Sequence, residues 1–174
     1  MSLDHIFVSC GNSRGLRTTF NDLRSIVLNA LTGNIARTSP ALAIGSTKTQ
    51  VANGAFTFNI GGMPYAKTAT AAGTAFTATT HDVADGYTRI FTVQINASGT
   101  ISYSPGTAVL TANASTATGG ALTAANAKMG EVKISADGAI FDATSDDLDD
   151  AHLTVVYTNA DIESTMETFA LLAE

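Results

Sequence analysis

Three stretches of the chain alternate apolar and polar residues, meet a turn rich in Gly, Asn or Asp, and resume with a second short apolar run. They are FTFNIGGMPYAK from Phe56, FTVQINASGTISY from Phe91 and EVKISADGAIF from Glu131. Period-two alternation broken by such turns predicts β-hairpins. In the first, Phe56, Phe58 and Ile60 share one face, and Gly61-Gly62 supplies the positive φ of a two-residue turn. The second places Phe91, Val93 and Ile95 inward and turns between Asn96 and Gly99. The third places Val132 and Ile134 inward, turns at Asp137-Gly138 and returns through Ile140 and Phe141. A last strand, HLTVVYT, puts Leu153, Val155 and Tyr157 on one face. No fixed period joins the hairpins, so they reflect shared turn chemistry rather than a repeat.

The two ends change period. Leu16, Phe20, Leu23, Val27 and Ala30 are spaced four, three, four and three, which predicts a helix with Asn12 or Ser13 at its start and Gly33 past its end. Ile26, Leu28 and Leu31 widen its apolar face, so it must bury itself, on its own domain or against another subunit. In the second case Leu16, Phe20, Leu23, Val27 and Leu31 form the oligomerisation seam. At the other end Ile162, Met166, Phe169 and Ala173 make a second short amphipathic helix with acids in its first turn. Between the first helix and the β text, NIARTSPALAIGSTKTQVANG has weak periodicity and reads as a linker. The expected organisation is an N-terminal helix and linker over 1–45, a β-sandwich over 46–160 and a C-terminal helix over 161–174. The fold class is mainly β, an antiparallel sandwich or jelly-roll-like barrel with short terminal helices. Leu122 to Lys128 is allowed one helical turn.

Composition sharpens this picture. Only 14% of residues are charged, while Ala (29) and Thr (26) make up nearly a third of the 174 residues. Thr supports strands without charge, so such a surface suits crowded, repetitive assembly. A net charge of −6 with nine Lys and Arg argues against nucleic acid as a partner, because phosphate binding needs clustered cations. Neither a signal peptide nor a run of ~20 apolar residues is apparent, so no membrane is expected. Cys10 is the single cysteine, which leaves no intrachain disulfide and no CxxC pair.

Candidate chemistry is sparse. His5, His81 and His152 are scattered, without a second ligand at metal spacing, and read as surface or turn residues. Asp146, Asp147, Asp149 and Asp150 form the densest acidic cluster, a solvated loop that lacks the D-x-D-x-D-G calcium pattern. Asp82, Asp85, Asp142 and Asp146 are the candidates from which the acid pair of a polysaccharide hydrolase would come. Tyr65, Tyr87 and Tyr103 are the candidate stacking platforms of a sugar-binding module in a chain without Trp. No cofactor is expected.

The segment Phe56 to Tyr103, FTFNIGGMPYAKTATAAGTAFTATTHDVADGYTRIFTVQINASGTISY, resembles text in structural proteins of tailed bacteriophages, of the capsid decoration and head-fibre kind. The resemblance rests on the Φ-x-Φ-N-I-G-G-x-x-Y and F-x-V-Q-I-N-A-x-G-x-I hairpins in an Ala/Thr-rich setting, and covers less than a third of the chain. It implies a non-enzymatic virion protein, made in the host cytoplasm, often trimeric and docked on the outer capsid surface. Its partners would be further copies of itself and the major capsid protein or another virion protein. The alternative from another class is a receptor- or carbohydrate-binding module of a phage fibre.

Overall fold

The structure, a computed structural model, describes residues 33–160. The expected terminal helices, including the seam residues Leu16, Phe20, Leu23, Val27 and Leu31, lie outside the described residues. Eleven strands follow in order: β1 (Ile35–Ala36), β2 (Ala43–Ile44), β3 (Gln50–Asn53), β4 (Phe56–Ile60), β5 (Met63–Lys67), β6 (Thr70–Ala75), β7 (Tyr87–Ile95), β8 (Ile101–Pro105), β9 (Val109–Leu110), β10 (Ala127–Ala136) and β11 (Leu153–Asn159). A 3-10 helix at Thr111–Thr116 is the helical element among the described residues. The chain is mainly β, and its sheets pack in a sandwich-like arrangement.

The larger sheet runs β5-β4-β1-β10-β7-β8, with β11 also on β10 and β9 also on β7, and the smaller is β2-β3-β6. Two hairpins form as their turn chemistry dictates. Gly61 (φ 58) and Gly62 (φ 79) join β4 to β5 with Ile60 opposite Met63, the two positive φ values matching a type I′ turn. At the β7–β8 turn the Asn96 side-chain oxygen accepts from the backbone N–H groups of Ser98 and Thr100, each at 3.0 Å, a side-chain mimic of a backbone turn.

The inward alternation also holds. Phe56, Phe58, Phe91, Val93, Ile95, Val132 and Ile134 are buried in one cluster with Val51 of the smaller sheet and Phe76 just after it. Each such side chain removed from water contributes on the order of 1.5–3 kcal/mol. Phe76 stacks on Tyr103 of β8 with ring centroids 4.3 Å apart, and the Tyr103 hydroxyl donates to the Thr74 carbonyl of β6 at 2.7 Å. These contacts tie the two sheets together.

Strand β10 is the spine. It takes β7 along one side; on the other it takes β1, paired through Lys128 and Ile35, and then β11 from Gly130 to Ala136. The β1–β10 pair is the one parallel pairing among the described strands. A bulge between Lys128 and Gly130 resets the alternation. Ala127 and Met129 point inward before it, Val132, Ile134 and Ala136 after it.

Three local expectations are corrected. The segment from Asn34, expected to be a linker, is woven into the fold: Ile35 and Ala36 pair with both β4 and β10, Ala36 and Leu42 are buried, and strand pairing begins well before residue 46. The third hairpin does not form. After Asp137-Gly138 the chain does not return beside β10; Phe141 bridges to Val83 instead, Ile140 is exposed, and β10 pairs with β11. Residues 122–128 make no helical turn but lead into β10.

The Ala/Thr/Gly-rich connection ahead of β10 has a structural task. Thr92 and Gln94 project from the face of β7 opposite Phe91 and Val93, yet they are buried. Thr92 Oγ1 donates to the Gly120 carbonyl, Gln94 Nε2 donates to Thr123 Oγ1, and Gln94 Oε1 accepts from the Thr123 N–H, each at 2.8 Å. The connection thus covers the outer face of the sheet there and satisfies its polar side chains.

Candidate functional site

The loop between β10 and β11 gathers most of the described acids, and its geometry shows what they do. Asp142 Oδ1 accepts from the Thr144 N–H at 2.9 Å and from the Thr144 hydroxyl at 2.8 Å. Asp146 Oδ2 accepts from the Asp142 N–H at 2.7 Å, and Asp150 Oδ2 from the Asp147 N–H at 3.0 Å. Asp82 and Asp85 lie on the facing loop before β7. Asp82 Oδ1 accepts from the Ala143 N–H at 3.0 Å, and Asp85 Oδ1 from the Gly138 N–H at 2.7 Å. Asp82 and Asp85 thus staple two loops, while Asp142, Asp146 and Asp150 close turns within the β10–β11 loop.

Such bonds favour the ionised form. The Asp142 carboxyl is accordingly held below its ordinary range, chiefly by the Thr144 backbone N–H. A glycosidase general acid needs the opposite shift. The Asp142 carboxylate is therefore bound as a cap of the turn at Thr144. Asp149 is also held low, chiefly by its hydrogen bond from Lys48, at 2.7 Å. Both partners are about half exposed, so this ion pair steers the loop more than it stabilises the fold. Beside it Leu148 is buried and its N–H donates to the Lys48 carbonyl at 2.9 Å. No group of three or more His, Cys, Asp or Glu able to hold a metal occurs among the described residues.

The described histidines divide. His152 sits with Nε2 3.6 Å from Asp146 Oδ2, beyond a good hydrogen bond. His81, expected at the surface or in a turn, follows the turn at 78–80 but is a core residue 5% exposed. Its ring meets Phe76, Phe91 and Tyr103 edge-on, and its Nδ1 accepts from the Thr77 N–H at 2.7 Å. An accepting Nδ1 defines the neutral ring with the proton on Nε2. Burial first, and the Arg89 cation second, hold its pKa below 6.5; a backbone hydrogen bond with Tyr103 and the Asp82 carboxylate oppose them.

The unfolded chain therefore binds a proton at His81 more readily than the fold does. Its contribution to stability is complete above about pH 6.5 and is lost as pH falls through that value toward the depressed folded one. The urea midpoint is expected to drop between pH 7.5 and 5, with a smaller drop in His81→Gln. Equal drops in the two proteins would contradict this account.

The tyrosine platforms are also redistributed. Tyr103 is buried, and burial pushes its phenol far up, so it offers no ring to a sugar. Tyr65 is half-buried and stacked on Phe58 at 5.4 Å, whereas Tyr87 is exposed beside its strand partner Leu110, itself exposed.

Sequence reasoning missed the edge status of β11. Among the described residues this strand pairs with β10 alone. Its inner residues Leu153, Val155 and Tyr157 lean on the core, while Thr154, Val156 and Thr158 are exposed. Burial pushes the Tyr157 phenol up to about 12, so this strand carries no charge at neutral pH. The other outer strands of the larger sheet are protected differently: β5 holds Pro64 and Lys67, and β8 ends at Pro105. The run LTVVYTN shows the missing charges, but only the topology shows that the strand is an edge. No helix among the described residues is long and apolar enough to cross a membrane. Compared with protein-family models, with curated proteins and with solved structures, the chain finds no match.

Proposed function

We propose that this chain is a non-enzymatic structural protein of a tailed-phage virion, decorating or projecting from the capsid through self-association and binding to the major capsid protein or another virion protein. One observation carries the reading: the described carboxylates that could do acid–base work, Asp82, Asp85, Asp142 and Asp146, each bind a backbone N–H that holds a loop or turn. What remains for partners is a weakly charged Ala/Thr surface with exposed Ile44, Met63, Leu110, Leu122, Ile140 and Val156.

Such a surface works by area. Weak contacts repeated over a symmetric lattice add to avidity, and few charges limit repulsion between crowded copies. The hairpins at Phe56 and Phe91, on which the phage resemblance rests, are the structural ribs of this body. The seam Leu16, Phe20, Leu23, Val27 and Leu31 is the proposed contact of a trimer. Since Ile35 and Ala36 belong to the sheet, the truncation that removes the seam without damaging the body ends at residue 32.

The test is co-sedimentation of the purified chain with heads of the phage whose genome carries it. Saturable recovery in the pellet is expected, and a chain left wholly in the supernatant would remove the reading. The fibre-module alternative keeps only Tyr87 as an exposed ring among the described tyrosines. A positive glycan array without head binding would move the assignment there.

A further inference from the structure

We infer that the edge of β11 left open among the described residues is a self-association surface, which a second copy of this chain joins by antiparallel β11–β11 pairing about a two-fold axis at Val156. The hydrogen-bond parity fixes which groups are available. Asp137 N–H donates to the His152 carbonyl and Ala160 N–H to the Met129 carbonyl, at each end of the β10–β11 ladder. In an antiparallel pair the bonded positions alternate, so Thr154, Val156 and Thr158 bond to β10 and the backbone groups of Val155 and Tyr157 point away from it. Those outward groups form an unused half-ladder among the described residues.

A second copy is the occupant that fits. Full overlap of Leu153–Asn159 with its own copy centres on Val156, setting Val155 opposite Tyr157 as bonded pairs in both directions. On the exposed face it sets Val156 against Val156 and Thr154 against Thr158, apolar and hydroxyl pairs of the kind that stabilise neighbouring strands. Even residues of both copies stay on the same face, so the half-buried residues continue onto the half-buried face of the partner.

Charge agrees with this choice. Two copies of a chain of net charge −6 repel, and β11 brings no carboxylate or ammonium to the contact. The neighbouring Asp149 is paired with Lys48. The Lys and Pro that blunt β5 and the Pro that ends β8 have no counterpart on β11. This surface is separate from the N-terminal seam. A trimer held by that seam would present three such edges, each able to join another assembly.

Val156→Cys in a Cys10→Ser background tests it directly. In a non-hydrogen-bonded antiparallel pair the two Cα atoms lie about 4.5 Å apart, within disulfide range. Mild oxidation is expected to give a covalent dimer about tenfold more abundant than from Ile140→Cys, an equally exposed apolar position elsewhere. Val156→Lys alone and Val156→Glu alone are expected to lose the contact, and their mixture to regain it, since like charges directly opposite repel and unlike ones attract.

In Val156→Lys the Val155 and Tyr157 amides should exchange about tenfold faster than in the wild type. No excess cross-linking would overturn the inference. So would undiminished protection of those two amides in a Val156→Lys protein of smaller mass, because a segment of the same chain would then cover the edge. Cross-linking reads this edge alone, so its outcome is independent of whether the chain binds phage heads.

Discussion

Phe91→Ala is expected to lower the unfolding free energy by about 3–5 kcal/mol, the cost of deleting a fully buried aromatic ring and leaving a cavity. Phe91 is wholly buried at the centre of β7. Its ring meets Phe76 at 5.3 Å and His81 at 5.5 Å, the Arg89 guanidinium carbon lies 5.6 Å from its centroid, and its strand neighbours are Val132 and Pro105. The site is enclosed by both sheets and by the His81 loop, so it cannot readily collapse around the gap. Ile140→Ala, at an apolar residue 53% exposed, should stay within about 0.5 kcal/mol. Urea unfolding of the two variants beside the wild type checks both numbers. Equal costs would mean that the core does not lie where Phe76, Phe91 and Val132 meet.

Gly130→Ala carries the second large effect, about 3 kcal/mol, by the opposite physics of overpacking. Gly130 occupies the bulge in β10, with φ at +157, where the alternation of the strand changes phase. A Cβ placed there would stand 2.2 Å from the Thr158 carbonyl oxygen and 2.8 Å from Leu42 Cδ1. The first neighbour is backbone and cannot step aside without moving β11. Leu42 is held as well, by its N–H donating to Asn159 Oδ1 at 2.8 Å. Faster amide exchange in β11, with that in the β4–β5 hairpin unchanged, should accompany the loss of stability. A variant with wild-type stability would show that β11 shifts freely on β10, contrary to this packing.

How much of this was legible in the sequence follows from the range of each interaction. The hairpins at Gly61-Gly62 and Asn96-Gly99 were readable because turn and strands lie within a dozen residues and each dictates the other. Asp137-Gly138 carries a similar signal, but of the apolar residues that follow, Ile140 is exposed and Phe141 is taken by Val83, while the β10 edge is taken by β11. Local turn chemistry cannot report a distant competitor. Ile35 and Ala36 were invisible for a related reason, since a strand of two residues has no period to detect.

The candidate chemistry was readable as residue types and not as roles. Asp82 and Asp142 were found, but their use as caps depends on which N–H groups the loops bring near. His81 reads as a surface or turn residue and Tyr103 as a candidate sugar platform, whereas both are core residues packed around Phe76. The β11 edge was written plainly as an uncharged run, and only the strand order reveals that it faces outward.

Light scattering on the purified full-length chain is the most direct measure of whether this body exists to meet copies of itself. The account predicts a particle of two or more times 17.8 kDa, smaller once Val156 is replaced by Lys. A single species of 17.8 kDa at every concentration tried, with Val156→Lys indistinguishable from the wild type, would contradict it.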